Sequence, residues 1–317
     1  MTSPQIVLTG ASGFIGSKVL RRVLDQNPAS GVRAVVRGRP PEGFDQARLH
    51  WFQGDLTRPG TLEGLCEGAD VVLHLASRVA GTEHECAAVN ADGTAALVEE
   101  ARRGGVRRIV QLSTAAVYGH GPHRGITVDE VPPAPVSPAS RTRLRAERVV
   151  TEAGGTVLRP GLVTGHGDRW VVPALADLVE RVPARWNGGQ GLTSMVDADD
   201  LARLIARMAT LRDEPPAGVH HASHPVPVRN RDLMAELDRL GILPLATADW
   251  TWQQCLDHLR RSPGRVGERQ FALLCGDNWQ RSDTIWRLAG LDAGPGPLER
   301  LTSAAPWYRA YLAGRNG

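Results

Sequence analysis

The chain has 317 residues, a formal net charge of +3 and acids and bases interspersed throughout, which suits one large α/β domain with a smaller lobe and argues against a nucleic-acid partner. Its four cysteines form no Cys-x-x-Cys pair, so neither a disulfide framework nor a metal site is expected. No apolar stretch approaches the ~18 residues of a membrane span, and no basic-then-apolar leader opens the chain, so the expected location is a reducing cytoplasm away from membranes.

Residues 6–8 are an apolar, β-rich run that reads as a short strand. They enter a turn with glycines at 10, 13 and 16, and a helical pattern follows from 17 to about 25. Gly10 allows a tight turn, Gly13 lets the backbone approach a pyrophosphate, and Gly16 lets the helix pack on the strand. The helix then aims its N-terminal N–H groups and the positive end of its dipole at phosphate. Residues 32–37 read as a second buried strand, whose end separates the two nicotinamide cofactors. A site for NAD places an acid there to accept from the ribose 2′-hydroxyl. Here the strand runs into Arg37-Gly-Arg39, with no acid before Glu42. Two guanidiniums suit a 2′-phosphate through charge and paired donors, so Arg37 and Arg39 point to NADP(H).

Residues 49–56 look like a third strand ending in Asp55-Leu56. Residues 70–77 are a fourth, ending in small residues that let a cofactor cross the strand's carboxyl end. A long helical stretch covers 85–104, and a fifth strand, 107–114, runs into Ala115-Ala-Val-Tyr-Gly119. Strands alternating with helices argue for a Rossmann-type, doubly wound parallel α/β sheet. Residues 121–138, rich in Pro and Gly, are expected to be loop, followed by a basic helix at 140–152. A sixth strand, 156–163, is interrupted by Pro160. Then come a helix at 170–182, a turn at 188–191, a helix at 199–211 and a strand at 218–223. Trp250, Trp252, Trp279, Trp286 and Trp307 cluster in the last quarter, as core or as flat walls for a substrate. The expected division is a cofactor domain at 1–158 with returning segments at about 190–222, and a substrate-binding lobe at 159–189 and 223–317.

Taken in order, several motifs resemble the extended short-chain dehydrogenase/reductase family, the epimerase, dehydratase and ketoreductase branch. They are Thr9-Gly-Ala-Ser-Gly-Phe-Ile-Gly16, Gly54-Asp-Leu56, His74-Leu-Ala76, Val89-Asn90 with Gly93-Thr94, Ser113-Thr-Ala-Ala-Val-Tyr-Gly119, Leu158-Arg-Pro160 and Val196-Asp-Ala-Asp-Asp200. The resemblance implies that Gly10, Ser12, Gly13, Phe14 and Ile15 line the pyrophosphate. It implies that Asp55 and Leu56 border the adenine, and that Leu75, Ala76 and Ser77 lie beside the ribose and the nicotinamide side. Pro160, Gly161 and Val163 would flank the nicotinamide, and Thr114 would hydrogen-bond the substrate carbonyl.

The chain departs from the family at its acid/base pair, a Tyr followed four residues later by a Lys, one helical turn apart. This sequence has Ala139 and Arg143 at those positions. Ala has no proton to give, and Arg143 can hold ribose hydroxyls and offer charge but is a poor proton donor. Tyr118, His120, His123 and His166 are the nearby alternatives. The resulting expectation is an NADPH-dependent ketoreductase of a polycyclic aromatic polyketide ketone in antibiotic biosynthesis. Its polar groups near the nicotinamide would be Thr114, Ser113 and Arg143. An adjacent phenol or a quinone would take over the tyrosine's task, and general acid catalysis is worth only ~10²–10⁴-fold. Within the family this pattern is similar to the angucyclinone ketoreductases, extended members that also lack the tyrosine. The alternatives are a non-catalytic NADP-binding sensor and a sugar-nucleotide epimerase or dehydratase. The sequence leaves the oligomeric state open.

Overall fold

Seven parallel strands form the main sheet: β1 (Ile6–Thr9), β2 (Val32–Val36), β3 (Leu49–Gln53), β4 (Val71–His74), β5 (Arg108–Leu112), β6 (Thr156–Arg159) and β7 (Gly218–His221). Their order across the sheet is β3-β2-β1-β4-β5-β6-β7. The computed structural model describes residues 4–26, 30–41, 48–211 and 217–314. This is the doubly wound, Rossmann-type α/β architecture expected from the sequence. Every residue of β1 and β4 is buried, because helices cover both faces, and the strands are accordingly near-continuous apolar runs. Side chains alternate between the two faces. Ile6 and Leu8 join Val19, Leu20, Leu201 and Ile205 on one side, and Val7 joins Val72, Leu97 and Val157 on the other. Strand order reverses between β1 and β4, so the crevice at their carboxyl ends is where an open α/β sheet takes a ligand.

Six helices matter for the site: α1 (Phe14–Gln26), α2 (Gly93–Arg103), α3 (Pro138–Glu152), α4 (Val171–Arg181), α5 (Ala198–Thr210) and α6 (Pro297–Ala313). α1 starts at Phe14, inside the glycine turn, three residues ahead of the expected start at 17. α2 continues directly from Glu83–Ala87 through a π-helical turn, Ala88–Asp92. α3 opens on a capping box: the Ser137 hydroxyl accepts from the Ser140 N–H, and Pro138 occupies the first turn, where no intrahelical N–H is needed.

Beyond β6 the chain turns out of the sheet at Pro160. Leu162–Thr164 then pairs with Met195–Asp197 instead. The stretch expected to be loop at 121–138 contains a strand, His123–Ile126. It joins a four-stranded sheet with Asn278–Gln280, Leu192–Thr193 and Val228–Arg229. Its Pro/Gly-rich flanks signal turns correctly, but pairing with a segment far along the chain recruits the residues between them. α5 and β7 return to the main sheet, whereas Leu192–Thr193 stays with the lobe. Helix Asp283–Ala289, on the lobe side of the expected division, buries Ile285, Trp286 and Ala289 in the main core. The lobe has its own core around Leu175, Leu178, Trp186, Phe271 and Tyr308. Trp250, Trp252 and Trp307 pack against that core, and Trp279 covers Gly125. No helix among the described residues is long and apolar enough to cross a membrane.

Candidate active site

Two cavities open at the carboxyl ends of β1, β4 and β5. The first, of about 280 Å³, is walled by Gly10, Ser12, Gly13, Arg37, Asp55, Leu56 and Ala76, among others. The second, of about 360 Å³, is walled by Phe14, Ile15, Ser113, Thr114, Arg143, Pro160, Gly161 and Val163, among others. Gly10, Gly13, Leu75 and Ser77 belong to both walls, so the cavities are two halves of one groove. A larger cavity, about 590 Å³, lies at the opposite ends of the strands around Gln5, Arg33 and Gly68. It holds none of the motif residues, and Arg33 there donates to the carbonyls of Gly64, Leu65 and Glu67.

The glycine turn has the shape a pyrophosphate cradle requires. Gly10 has φ +75°, and a Cβ on it would lie 2.7 Å from the Ala76 nitrogen, so the turn passes directly against the end of β4. A Cβ on Gly16 would lie 1.9 Å from the Gly10 carbonyl oxygen, which is why helix and strand can pack this closely. The Gly13 N–H donates to the Gly10 carbonyl at 2.9 Å, closing the turn. The Ser17 N–H already donates to the Gly13 carbonyl at 2.9 Å, and the N–H groups ahead of it, at the start of α1, have no intrahelical acceptor, an arrangement that suits an anion. These residues fit a dinucleotide.

Arg37 is exposed at the end of β2 and forms part of the first wall. Arg39 is exposed too but does not line either cavity, and Glu42 lies outside the described residues. The Asp55 carboxylate is spent on its own turn. It accepts from the Thr57 N–H and hydroxyl, each at 2.9 Å, and these bonds with Arg58 hold it below the usual carboxylate range. The end of β4 is stapled from beneath. The Ala76 N–H donates to the Thr9 hydroxyl at 3.2 Å, Thr9 meets His74 Nδ1 at 2.7 Å, and His74 Nε2 meets Thr94 at 2.8 Å. Burial pushes His74 down to about 4, so it stays neutral. Asn90, in the π-helical turn, accepts from the Arg78 N–H at 2.7 Å and donates to the Arg78 carbonyl and the Thr142 hydroxyl. The loop lining the groove is thereby tied to α3 beside Arg143.

In the second cavity, Arg143 donates both Nη2 protons to the strand-end carbonyls, to Leu112 at 3.0 Å and Ser113 at 2.9 Å. Burial draws the guanidinium down to about 10, opposed by Glu147, so it remains a cation at neutral pH. Ala139, one turn earlier on the same face, is too short to reach this wall. The Thr114 hydroxyl accepts from the Ala116 N–H at 3.2 Å, capping the turn Ala115–Tyr118, and keeps its proton to donate. Ser113 lines the cavity, but its hydroxyl donates to Glu147, so its proton is engaged beneath the wall.

Glu147 anchors a buried chain of polar groups. Arg159 Nε donates to both its carboxylate oxygens at 3.1 Å, and Arg159 Nη1 donates to the Tyr118 hydroxyl at 2.8 Å. Tyr118 meets His221 Nε2 at 2.7 Å, and His221 Nδ1 donates to the Arg281 carbonyl. Burial raises Tyr118 and drops His221 to about 4, which makes the tyrosine the donor in their contact. Tyr118 is 1% exposed and lines neither half of the groove, so it does not stand in for the missing acid. His123 is buried against Tyr118, and the exposed His166 ring packs on Trp307. None of the five tail tryptophans lines the groove. Trp170 lines it instead, together with Val79; in the sequence the first is only the expected start of the helix at 170–182 and the second an apolar residue just past the fourth strand. No metal-binding cluster occurs among the described residues.

A model of the NAD dependent epimerase/dehydratase family matches residues 6–220. The 4-hydroxy-2-methyl-3-oxo-4-farnesyl-3,4-dihydroquinoline-1-oxide ketoreductase of Stigmatella aurantiaca is 30% identical over 243 residues, 73% of this chain and 71% of that protein. An uncharacterized protein of Sinorhizobium fredii (strain NBRC 101917 / NGR234), y4nG, is 29% identical over 62% of this chain, and that match spans about half of its length, 51%. Among solved structures, a double mutant of the dTDP-glucose 4,6-dehydratase DesIV from Streptomyces venezuelae, with NAD bound, superposes with a TM-score of 0.70. It is 23% identical and 98% of each chain is covered.

Proposed function

The chain belongs to the NAD-dependent epimerase/dehydratase family, and on that premise we propose that it is an NADPH-dependent ketoreductase. Its substrate would be a ketone of a polycyclic aromatic polyketide, angucyclinone-like, in antibiotic biosynthesis. The observation that carries this reading is the wall of the second cavity. Three hydroxyl residues, Ser77, Ser113 and Thr114, and one guanidinium, Arg143, sit among Leu112, Leu162, Val163 and the exposed Trp170 and Val79. Such a wall offers polar partners for a carbonyl oxygen and apolar surface for the rest of the ligand. The Stigmatella relative supports the same class, since its name gives it an oxo-dihydroquinoline, a ring-fused ketone.

Ser12, Gly13 and the start of α1 hold the pyrophosphate, and Arg37 takes the 2′-phosphate. When bound, the reduced nicotinamide supplies a hydride to the carbonyl carbon. The carbonyl oxygen then carries the negative charge. Thr114 donates its hydroxyl proton in a hydrogen bond to that oxygen, and Arg143 stabilises the charge electrostatically. Neither gives a proton away. The proton comes from a phenol beside the ketone or from water, so that ketone, NADPH and one proton become alcohol and NADP. Epimerases and dehydratases withdraw a proton from a substrate hydroxyl, and Ala139 offers no base for that step.

The test is NADPH oxidation by the purified protein with a panel of ring-fused hydroxyketones and quinones, followed by loss of reduced-nicotinamide absorbance. Turnover with the aromatic ketones is expected. Tight NADPH binding without oxidation by any of them would instead favour a sensor. Conversion of a nucleotide sugar would sink the reading.

A further inference from the structure

We propose that Trp170 selects a flat aromatic ring system in the nicotinamide-side cavity by stacking against it, an inference that rests on the ketoreductase reading above. Trp170 is 61% exposed yet forms part of the cavity wall, and its indole makes no ring contact among the described residues. A tryptophan left this open is unusual, because the indole is among the largest apolar surfaces a side chain can bury.

The backbone beneath it is firmly held. The Trp170 N–H donates to Asp168 Oδ1 at 2.7 Å, and the same carboxylate accepts the Val171 N–H at 2.9 Å and the Val172 N–H at 3.0 Å. The Tyr308 hydroxyl donates to Asp168 Oδ2 at 3.0 Å and accepts the Gly165 N–H at 2.9 Å. Asp168 is fully buried. Gly167, between these anchors, lies on Phe14: a Cβ there would stand 3.1 Å from the ring. The loop is therefore clamped to α6, to the start of α4 and to the cofactor turn. An exposed indole on a fixed base is a preorganised surface, and ordering it costs a ligand little. Val79, 49% exposed, extends the same apolar rim. A planar aromatic ligand gains from offset stacking as well as from area, whereas a puckered saturated ring gains only the area.

The experiment titrates the full chain, loaded with NADP, with two probes by calorimetry: a dihydroxyanthraquinone and a decalone. Wild type, Trp170→Ala and Trp170→Phe are compared. Trp170→Ala is expected to weaken the anthraquinone about tenfold while changing the decalone by less than about twofold. Trp170→Phe recovers most of the loss, and NADPH affinity stays constant in all three. Undiminished anthraquinone binding by Trp170→Ala overturns the proposal, as does an equal loss for both probes. So does a wild-type protein that ignores the anthraquinone, and in that case NADPH oxidation with the decalone separately decides whether a ketoreductase remains.

Discussion

Where the groove meets β1 and β2, its wall sets the small residues Gly10, Ser12, Gly13, Gly54 and Ala76 beside larger ones such as Arg37, Asp55, Leu56 and Val89. Past the glycine turn the wall is made of side chains: Phe14, Leu112, Thr114, Arg143, Leu162 and Trp170. The first half offers the backbone N–H groups of a glycine turn, which any compatible sequence supplies in the same way, and one side chain, Arg37, for selectivity. The second half depends on what particular side chains present, and those rest on buried partners. The difference explains how one end can keep the family's cofactor cradle while the other loses the acid/base tyrosine.

The harshest way to break this comparison is Glu147→Ala. It strands the buried Arg159 guanidinium and frees Ser113, both of which bond to Glu147. Removing one partner of such a pair costs about 3–5 kcal/mol. The melting temperature should fall sharply, whereas Glu147→Gln, which keeps an acceptor, should lose less. Equal and mild losses would mean that the second half does not hang on this anchor.

Arg143→Ala sharpens the contrast at the chemistry. The fold should hold, NADPH should still bind through the glycine turn, and kcat should drop roughly a hundredfold. An intact kcat would remove Arg143 from the mechanism. Ala139→Tyr probes the same place in reverse. A faster enzyme means only an acid was missing, and a loss of turnover means the space serves a bulky ligand.

Arg37→Ala is the mildest test and belongs to the first half alone. NADPH affinity should weaken about tenfold, as for one charge-assisted contact, with NADH unaffected. Equal weakening of both cofactors, measured by fluorescence titration, would sink the preference for the 2′-phosphate.

The glycine turn, the strands bearing short apolar runs and the Ala139 and Arg143 substitutions are all legible along the chain. Each is a local statement: a turn needing no Cβ, a buried strand needing apolar residues on both faces, a helix presenting residues four apart on one side. Other features depend on segments far apart in sequence. The strand at His123–Ile126 exists because Asn278–Gln280 lies beside it. The Tyr118 hydroxyl is engaged by Arg159 and His221, and that of Ser113 by Glu147. Trp170 faces the groove because Asp168 and Tyr308 hold its loop, while of the tail tryptophans Trp286 fills the main core, Trp250, Trp252 and Trp307 pack on the lobe core and Trp279 covers Gly125. Local pattern determines which elements form and which cofactor cradle they build. Which buried polar group meets which, and which aromatic stays in solvent, follows from long-range packing, where each pairing depends on the whole chain being folded.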